Sequence, residues 1–233
     1  MRPVAPLWLH HREAAVRAIN RRQFLGDCLG VVGSGGVLGL LLAANARVAE
    51  ATPAWALRPP GALADADFSA ACLRCGLCVQ ACPFDILHLA RLGDGVTLGT
   101  PYFVARQRAC EMCVDIPCAV ACPTDALTAP AQGIAAARMG LARMTGPDTC
   151  YSINGTAQCG ACYLACPVKD AAITMERRSA GGRVYFEPTV NAAHCTGCGK
   201  CEEACVTQEA SIKVLPLALA RQDRVGPLPR RGA

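Results

Sequence analysis

Cys72-Leu73-Arg74-Cys75-Gly76-Leu77-Cys78-Val79-Gln80-Ala81-Cys82-Pro83 places four thiols within eleven residues, a density that ordinary core packing does not produce. The spacing C-x2-C-x2-C-x3-C-P is that of an iron–sulfur loop, whose fourth cysteine normally ligates the other cluster of a pair. Variants return three times: Cys110-x2-Cys113-x4-Cys118-x3-Cys122-Pro123, Cys150-x8-Cys159-x2-Cys162-x3-Cys166-Pro167 and Cys195-x2-Cys198-x2-Cys201-x3-Cys205. Sixteen of the seventeen cysteines are thereby used, and they are the candidate ligands of four [4Fe–4S] clusters.

The loops begin at Cys72, Cys110, Cys150 and Cys195, a repeat of roughly forty residues that points to an architecture of similar units. Each unit reads as an extended lead-in, close cysteines, a short helix to the last cysteine and a strand after it. The clearest lead-ins are Thr100–Val104 and Val184–Phe186; the exits are Ile86–Leu89, Ala172–Met175 and Ser211–Leu215, apolar in the partial alternation of half-buried strands. Because fourth cysteines serve a neighbouring cluster, the units work two by two. The fold class expected is therefore α+β, a ferredoxin-like tandem of two 2[4Fe–4S] modules with short strands, short helices and long loops, behind an N-terminal signal or anchor helix. The boundaries follow composition: 1–56 for the signal or anchor, 57–217 for the four-cluster domain and 218–233 for a basic tail. Gly76, Gly160, Gly197 and Gly199 are placed where a missing Cβ lets amides approach cluster sulfurs.

In a chain of 233 residues only 5% are aromatic, so a large aromatic core is not available. Metal clusters supply the deficit, because ligands bound only by the folded state add their binding energy to folding. The cluster-free chain is accordingly expected to be poorly folded. The formal charge is +5, yet seven arginines against three acids up to Arg58 account for four of those charges. Four cubanes of about −2 each would take the domain to roughly −7, which disfavours a nucleic-acid surface. No nucleophile, acid–base pair or phosphate loop is visible, so the chain reads as an electron carrier rather than an enzyme.

Ahead of the domain, Asn20-Arg21-Arg22-Gln23-Phe24-Leu25 precedes a Gly-rich apolar run from Leu29 to Ala44. The pattern resembles a twin-arginine export signal, with an uncleaved membrane anchor as the alternative. Small-x-small sites at Ala44–Ala46, Ala49–Ala51 and Ala54–Ala56 allow cleavage without choosing a position. Export of an already folded protein suits clusters assembled in the cytoplasm, and places the domain in the periplasm, free or tethered to the inner membrane. The glycines from Gly33 to Gly39 lack a preceding strand and belong to this signal rather than to a dinucleotide loop. Cys28, beside the arginines, reads as a small apolar filler. Proline and glycine between Thr52 and Gly61 mark the linker.

Two other uses of the cysteines compete. Zinc sites use C-x2-C pairs too, but usually join two pairs across a longer gap. Disulfides fit an exported chain with an even cysteine set, but not cysteines this crowded nor a fourfold repeat. No C-x2-C is followed by histidine, which excludes a c-type haem. The histidines, His10, His11, His88 and His194, form no ligand cluster; His194 next to Cys195 reads as a solvated loop residue. Arg74 and Lys200 offset cluster charge.

Beyond the cysteines, Leu57–Ala62 (LRPPGA), Gly99–Arg106 (GTPYFVAR), Cys110–Cys118 (CEMCVDIPC), Ala137–Ala142 (ARMGLA), Cys195–Cys201 (CTGCGKC) and Lys213–Leu217 (KVLPL) closely resemble the NapG/MauM family of ferredoxin-type proteins. The resemblance runs from the arginine pair to about Leu217. It implies electron transfer from a membrane quinol-oxidising partner of the NapH type toward a periplasmic nitrate reductase or its redox subunit. An assembly or maturation role, or service to another periplasmic oxidoreductase such as a methylamine dehydrogenase system, is the alternative. The second loop, with Pro117 ahead of Cys118, is also similar to electron-transfer subunits of the dimethyl sulfoxide reductase family. That analogy implies nested pairing: Cys72, Cys75 and Cys78 with Cys205; Cys195, Cys198 and Cys201 with Cys82; Cys110, Cys113 and Cys118 with Cys166; Cys150, Cys159 and Cys162 with Cys122. Spacing alone leaves sequential pairing equally open.

Overall fold

In a computed structural model of the protein, Gly36 and residues 53–221 are described. The arginine pair, the apolar run apart from Gly36, the cleavage sites at Ala44–Ala46 and Ala49–Ala51, Cys28 and all but the first residues of the C-terminal tail lie outside them; the third small-x-small site, Ala54–Ala56, lies inside, with Ala56 buried. Among the described residues no helix is long and apolar enough to cross a membrane.

Regular structure is sparse and short. The helices are α1 (Asp65–Ala71), α2 (Leu77–Gln80), α3 (Pro117–Val120), α4 (Tyr151–Asn154), α5 (Ala161–Leu164), α6 (Lys200–Glu203) and α7 (Leu217–Ala220). The strands are β1 (His88–Leu89), β2 (Pro101–Tyr102), β3 (Leu141–Met144), β4 (Ile173–Ala180), β5 (Arg183–Val190) and β6 (Ile212–Leu215). Four-residue helices cannot stand alone, since nucleation fixes several residues for each hydrogen bond gained. Four of them, α2, α3, α5 and α6, persist because each carries the third cysteine of a loop, Cys78, Cys118, Cys162 or Cys201, and delivers the fourth just past its C-terminal end.

Strands pair only in twos, all antiparallel: β1 with β2, β3 with β6 and β4 with β5. Their connectivity divides the domain into two halves built alike. In the first, Leu57 bridges Phe103, between the two loops, and Ala62 bridges Leu127, so the chain before the first loop closes on the chain after the second. In the second half β3, ahead of the third loop, closes on β6, after the fourth. Each closure brings two consecutive loops together.

The sequence plan of lead-ins and exits holds at β2, β5, β1, β4 and β6. It misses β3, because Leu141–Met144 runs buried, buried, exposed, half-buried and does not alternate. It also misses that β4 and β5 are one hairpin. Ala180 pairs with Arg183 across Gly181-Gly182, both at positive φ, 57° and 74°, as a two-residue hairpin turn with matching twist requires.

The core is small-residue and thiol-rich, as the aromatic content dictates. Phe68 and Phe103 are its only fully buried large rings among the described residues, beside Leu57, Ile212 and Leu215. Burying each such side chain contributes about 1.5–3 kcal/mol. Cys78, Cys82, Cys110, Cys118, Cys195 and Cys198 belong to the same cluster of buried residues, so the ligands are part of the core and not an addition to it.

Two buried charges hold the halves in shape. Arg58 donates to Thr100 Oγ1 at 2.8 Å, the Pro101 carbonyl at 3.1 Å and Asp65 Oδ1 at 3.2 Å, with its guanidinium 4.8 Å from the centre of the Phe68 ring. Glu202 accepts the Val214 N–H at 2.6 Å and ties α6 to β6; burial raises its pKa.

Candidate metal centres

Four cavities hold the cysteines, and each takes three thiols from one loop and the fourth from its neighbour. The first is lined by Cys72, Cys75 and Cys78 with Cys122, and by Phe68, Pro101 and Leu127. The second has Cys110, Cys113 and Cys118 with Cys82, beside Phe103 and Ile116. Cys150, Cys159 and Cys162 meet Cys205 in the third, against Met144 and Ile212. Cys195, Cys198 and Cys201 meet Cys166 in the fourth, against Val168 and Val214. With the space open to solvent included they measure about 330, 390, 360 and 300 Å³, alike enough for one kind of occupant.

This geometry corrects the nested pairing. Cys205 stands with the third loop and not the first, Cys82 with the second and not the fourth, Cys122 with the first and Cys166 with the fourth. The cause is the closure of each half on itself: α2 packs against α3, and α5 against α6. The cysteine beyond each helix therefore reaches across to the facing loop. The analogy failed because it carried over the order of loops but not the strands that close them.

A repeated backbone aims the sulfurs. The amide two residues after the cysteine donates to its sulfur at Cys72, Cys110, Cys122, Cys166, Cys198 and Cys205. At Cys72 and Cys110 the donating residue is itself left-handed, Arg74 and Met112 both at φ 58°, and Gly197, two residues after Cys195, is left-handed at 73°. Past the fourth cysteine Asp85, Asp125 and Asp170 are left-handed as well, at 52°, 56° and 69°, a conformation aspartate tolerates better than most. The recurrence of an aspartate shortly after each Cys-Pro was the overlooked signal. Ile116, a β-branched residue at φ 44°, carries real strain, which the longer x4 spacing before Cys118 imposes.

The four glycines singled out in the loops separate. Gly197 and Gly199 are required by contact: a Cβ at Gly197 would overlap the Gly140 backbone, and one at Gly199 would lie 2.6 Å from Ala105 Cβ. Gly76, at φ 79°, would meet only a leucine methyl. Gly160 has a negative φ and no protein atom near its missing Cβ. Lys200 pairs with Glu111 at 2.6 Å, Arg74 lies across Gly99, and His194 is exposed.

Arg106, which the sequence showed only as the last residue of the Gly99–Arg106 block, has a structural role that spacing did not display. Its guanidinium donates to the carbonyls of Glu202 and Cys205 at 2.8 Å and Thr207 at 2.7 Å, with Glu203 and Gln208 at 3.3 Å. Carbonyls at a helix end lack intrahelical donors, and one arginine fork satisfies those after α6.

The thiols are set for metal rather than for free acidity. Burial pushes Cys78, Cys110 and Cys162 up to about 11 and Cys118 to about 12, so deprotonation must come from a bound ion. At Cys122 and Cys205 burial acts the same way, but amides and the hydroxyls of Thr124 and Thr207 outweigh it and lower both. None of the sixteen described cysteines forms a disulfide, which removes that reading. No three His, Cys, Asp or Glu among the described residues gather closely enough for a single ion; the thiols surround cavities instead. That spacing suits a polynuclear cluster, and the all-thiol donor sets fit [4Fe–4S].

Known proteins agree. A 4Fe-4S dicluster domain matches residues 157–208 and a 4Fe-4S binding domain residues 69–88. The dicluster match takes in Cys159, Cys162 and Cys166 of the third loop and all four cysteines of the fourth, in keeping with their sharing of cysteines. Ferredoxin-type protein NapG of Haemophilus influenzae is 49% identical over 206 residues, 87% of this chain and 74% of that relative. NapG of Escherichia coli is 48% identical over 205 residues, 87% and 88% of the two chains. Methylamine utilization ferredoxin-type protein MauM of Methylorubrum extorquens is 47% identical over 206 residues, 88% and 93%. The chain belongs to the NapG/MauM family of ferredoxin-type proteins. It is a ferredoxin-type iron–sulfur electron-transfer protein whose cofactors are four [4Fe–4S] clusters. No solved structure matches it.

Proposed function

We propose that each cysteine set ligates one cluster and that the chain passes electrons from a membrane quinol-oxidising partner of the NapH type to a periplasmic oxidoreductase. The observation that carries this reading is the presence of four thiol-lined cavities of similar size within one small domain, each sharing a cysteine with a neighbour. A bound [4Fe–4S] cluster supplies one-electron exchange without proton or group transfer. The chain supplies thiolates, amides that stabilise them and apolar walls that keep water away.

A nitrate reductase is the acceptor favoured by likeness to NapG. Likeness to MauM, almost as high, supports a second destination in methylamine oxidation. The arginine pair at Arg21 and Arg22 supports periplasmic placement through twin-arginine export. The test is anaerobic reduction of the loaded protein by quinol in membrane vesicles that hold the quinol-oxidising partner. Bleaching of the cluster absorbance, reversed by the oxidised acceptor, is expected; clusters inert to quinol and acceptor alike would turn the reading toward an assembly factor.

A further inference from the structure

The contacts that join the two halves through their cysteine loops fall at one place. The Cys110 N–H donates to the Cys198 carbonyl at 2.8 Å, and Lys200 Nζ lies 2.6 Å from Glu111 Oε2. Arg106, just ahead of the second loop, closes on carbonyls at the end of the fourth. Three independent interactions thus join the second loop to the fourth, and the bare Cα of Gly199 against Ala105 makes room for them.

We propose that this seam, centred on the Lys200–Glu111 pair and the Cys110–Cys198 hydrogen bond, orders the four sites as first, second, fourth, third. The proposal rests on the reading that each set holds a cluster. Chain order would put the second site beside the third, yet the cross-half contacts of the second loop go to the fourth: Cys110 to Cys198 and Glu111 to Lys200. Burial agrees with the spatial order: Cys195 and Cys198 of the fourth site are buried, whereas Cys75 of the first is exposed. Lys200 and Glu111, standing between the two inner sites, act on both, because the charge of either reaches a cluster in each half.

Two sets of variants test the order by properties other than turnover. In fully reduced protein, neighbouring paramagnetic clusters broaden each other's electron paramagnetic resonance signals. Removing the fourth cluster with Cys198→Ala should leave the third as an isolated, unbroadened signal; removing the third with Cys159→Ala should leave three coupled clusters. An isolated fourth signal after Cys159→Ala would overturn the proposal. Lys200→Met and Glu111→Gln replace no ligand and keep the test open if the cysteine variants do not load. Lys200→Met should lower the reduction potentials of the second and fourth clusters together, and Glu111→Gln should raise both. A shift confined to one cluster would overturn the shared seam. Loss of all iron from the unaltered chain would instead overturn the cluster reading, and the order with it.

Discussion

At the scale of single residues, burial sets the acid–base behaviour of the ligands. While the fold persists, a cluster-free set retains protons on Cys78, Cys110, Cys118 and Cys162 up to about 11 or 12, whereas the loaded set has none to retain. Below those values the cluster-free form binds more protons, so cluster retention strengthens as pH rises and weakens as it falls. Iron release to a chelator should therefore be faster at about pH 5 than at about pH 8; a rate independent of pH would contradict the account. Arg106 gives a second prediction. Lysine keeps the charge but not the fork, so Arg106→Lys leaves several carbonyls after α6 without donors. The expected loss is about 2–4 kcal/mol in thermal unfolding of the loaded protein, with the cluster served by Cys205 released first. The cysteines were legible because their chemistry shows in spacing; Arg106 was not, because its partners lie about a hundred positions away and are backbone carbonyls that no sequence pattern displays.

Among the elements, the four helices that carry third cysteines were legible because each is bracketed by cysteines, while β3 was not, because its burial does not alternate. Its register depends on a close approach that composition hides. A Cβ at Gly140 would stand 2.7 Å from the Leu215 carbonyl oxygen and 2.9 Å from Leu57 Cδ2, where β3, β6 and the first half's lead-in meet. Overpacking of this kind costs about 1–3 kcal/mol. Gly140→Ala should lower the unfolding temperature of the loaded protein accordingly. Gly160→Ala, in open space and at an ordinary φ, should be neutral or stabilise by about 0.4–1 kcal/mol. The reverse ranking would show that the β3–β6 closure is not what limits the second half.

For the whole molecule, two consecutive loops form each half and a single seam joins the halves. Loop spacing could not disclose this, since every fourth cysteine is preceded by the same three residues' interval whichever loop it serves. Strand closure decides it: Ala62 with Leu127 in one half and β3 with β6 in the other. The chain ahead of the domain carries its own test. Arg21→Lys with Arg22→Lys should leave cluster-loaded protein in the cytoplasm, because lysine keeps the charge of the pair but not its geometry; unchanged periplasmic protein, assayed by fractionation and iron content, would refute twin-arginine export. The central claim is the pairing of loops, and Cys205→Ala tests it most directly. Mössbauer and electron paramagnetic resonance spectra of the loaded variant, with signals assigned from matching substitutions in each loop, should show the cluster held by Cys150, Cys159 and Cys162 altered or lost and the one held by Cys72, Cys75 and Cys78 unchanged. Damage to the cluster of Cys72, Cys75 and Cys78, with that of Cys150, Cys159 and Cys162 intact, would contradict it.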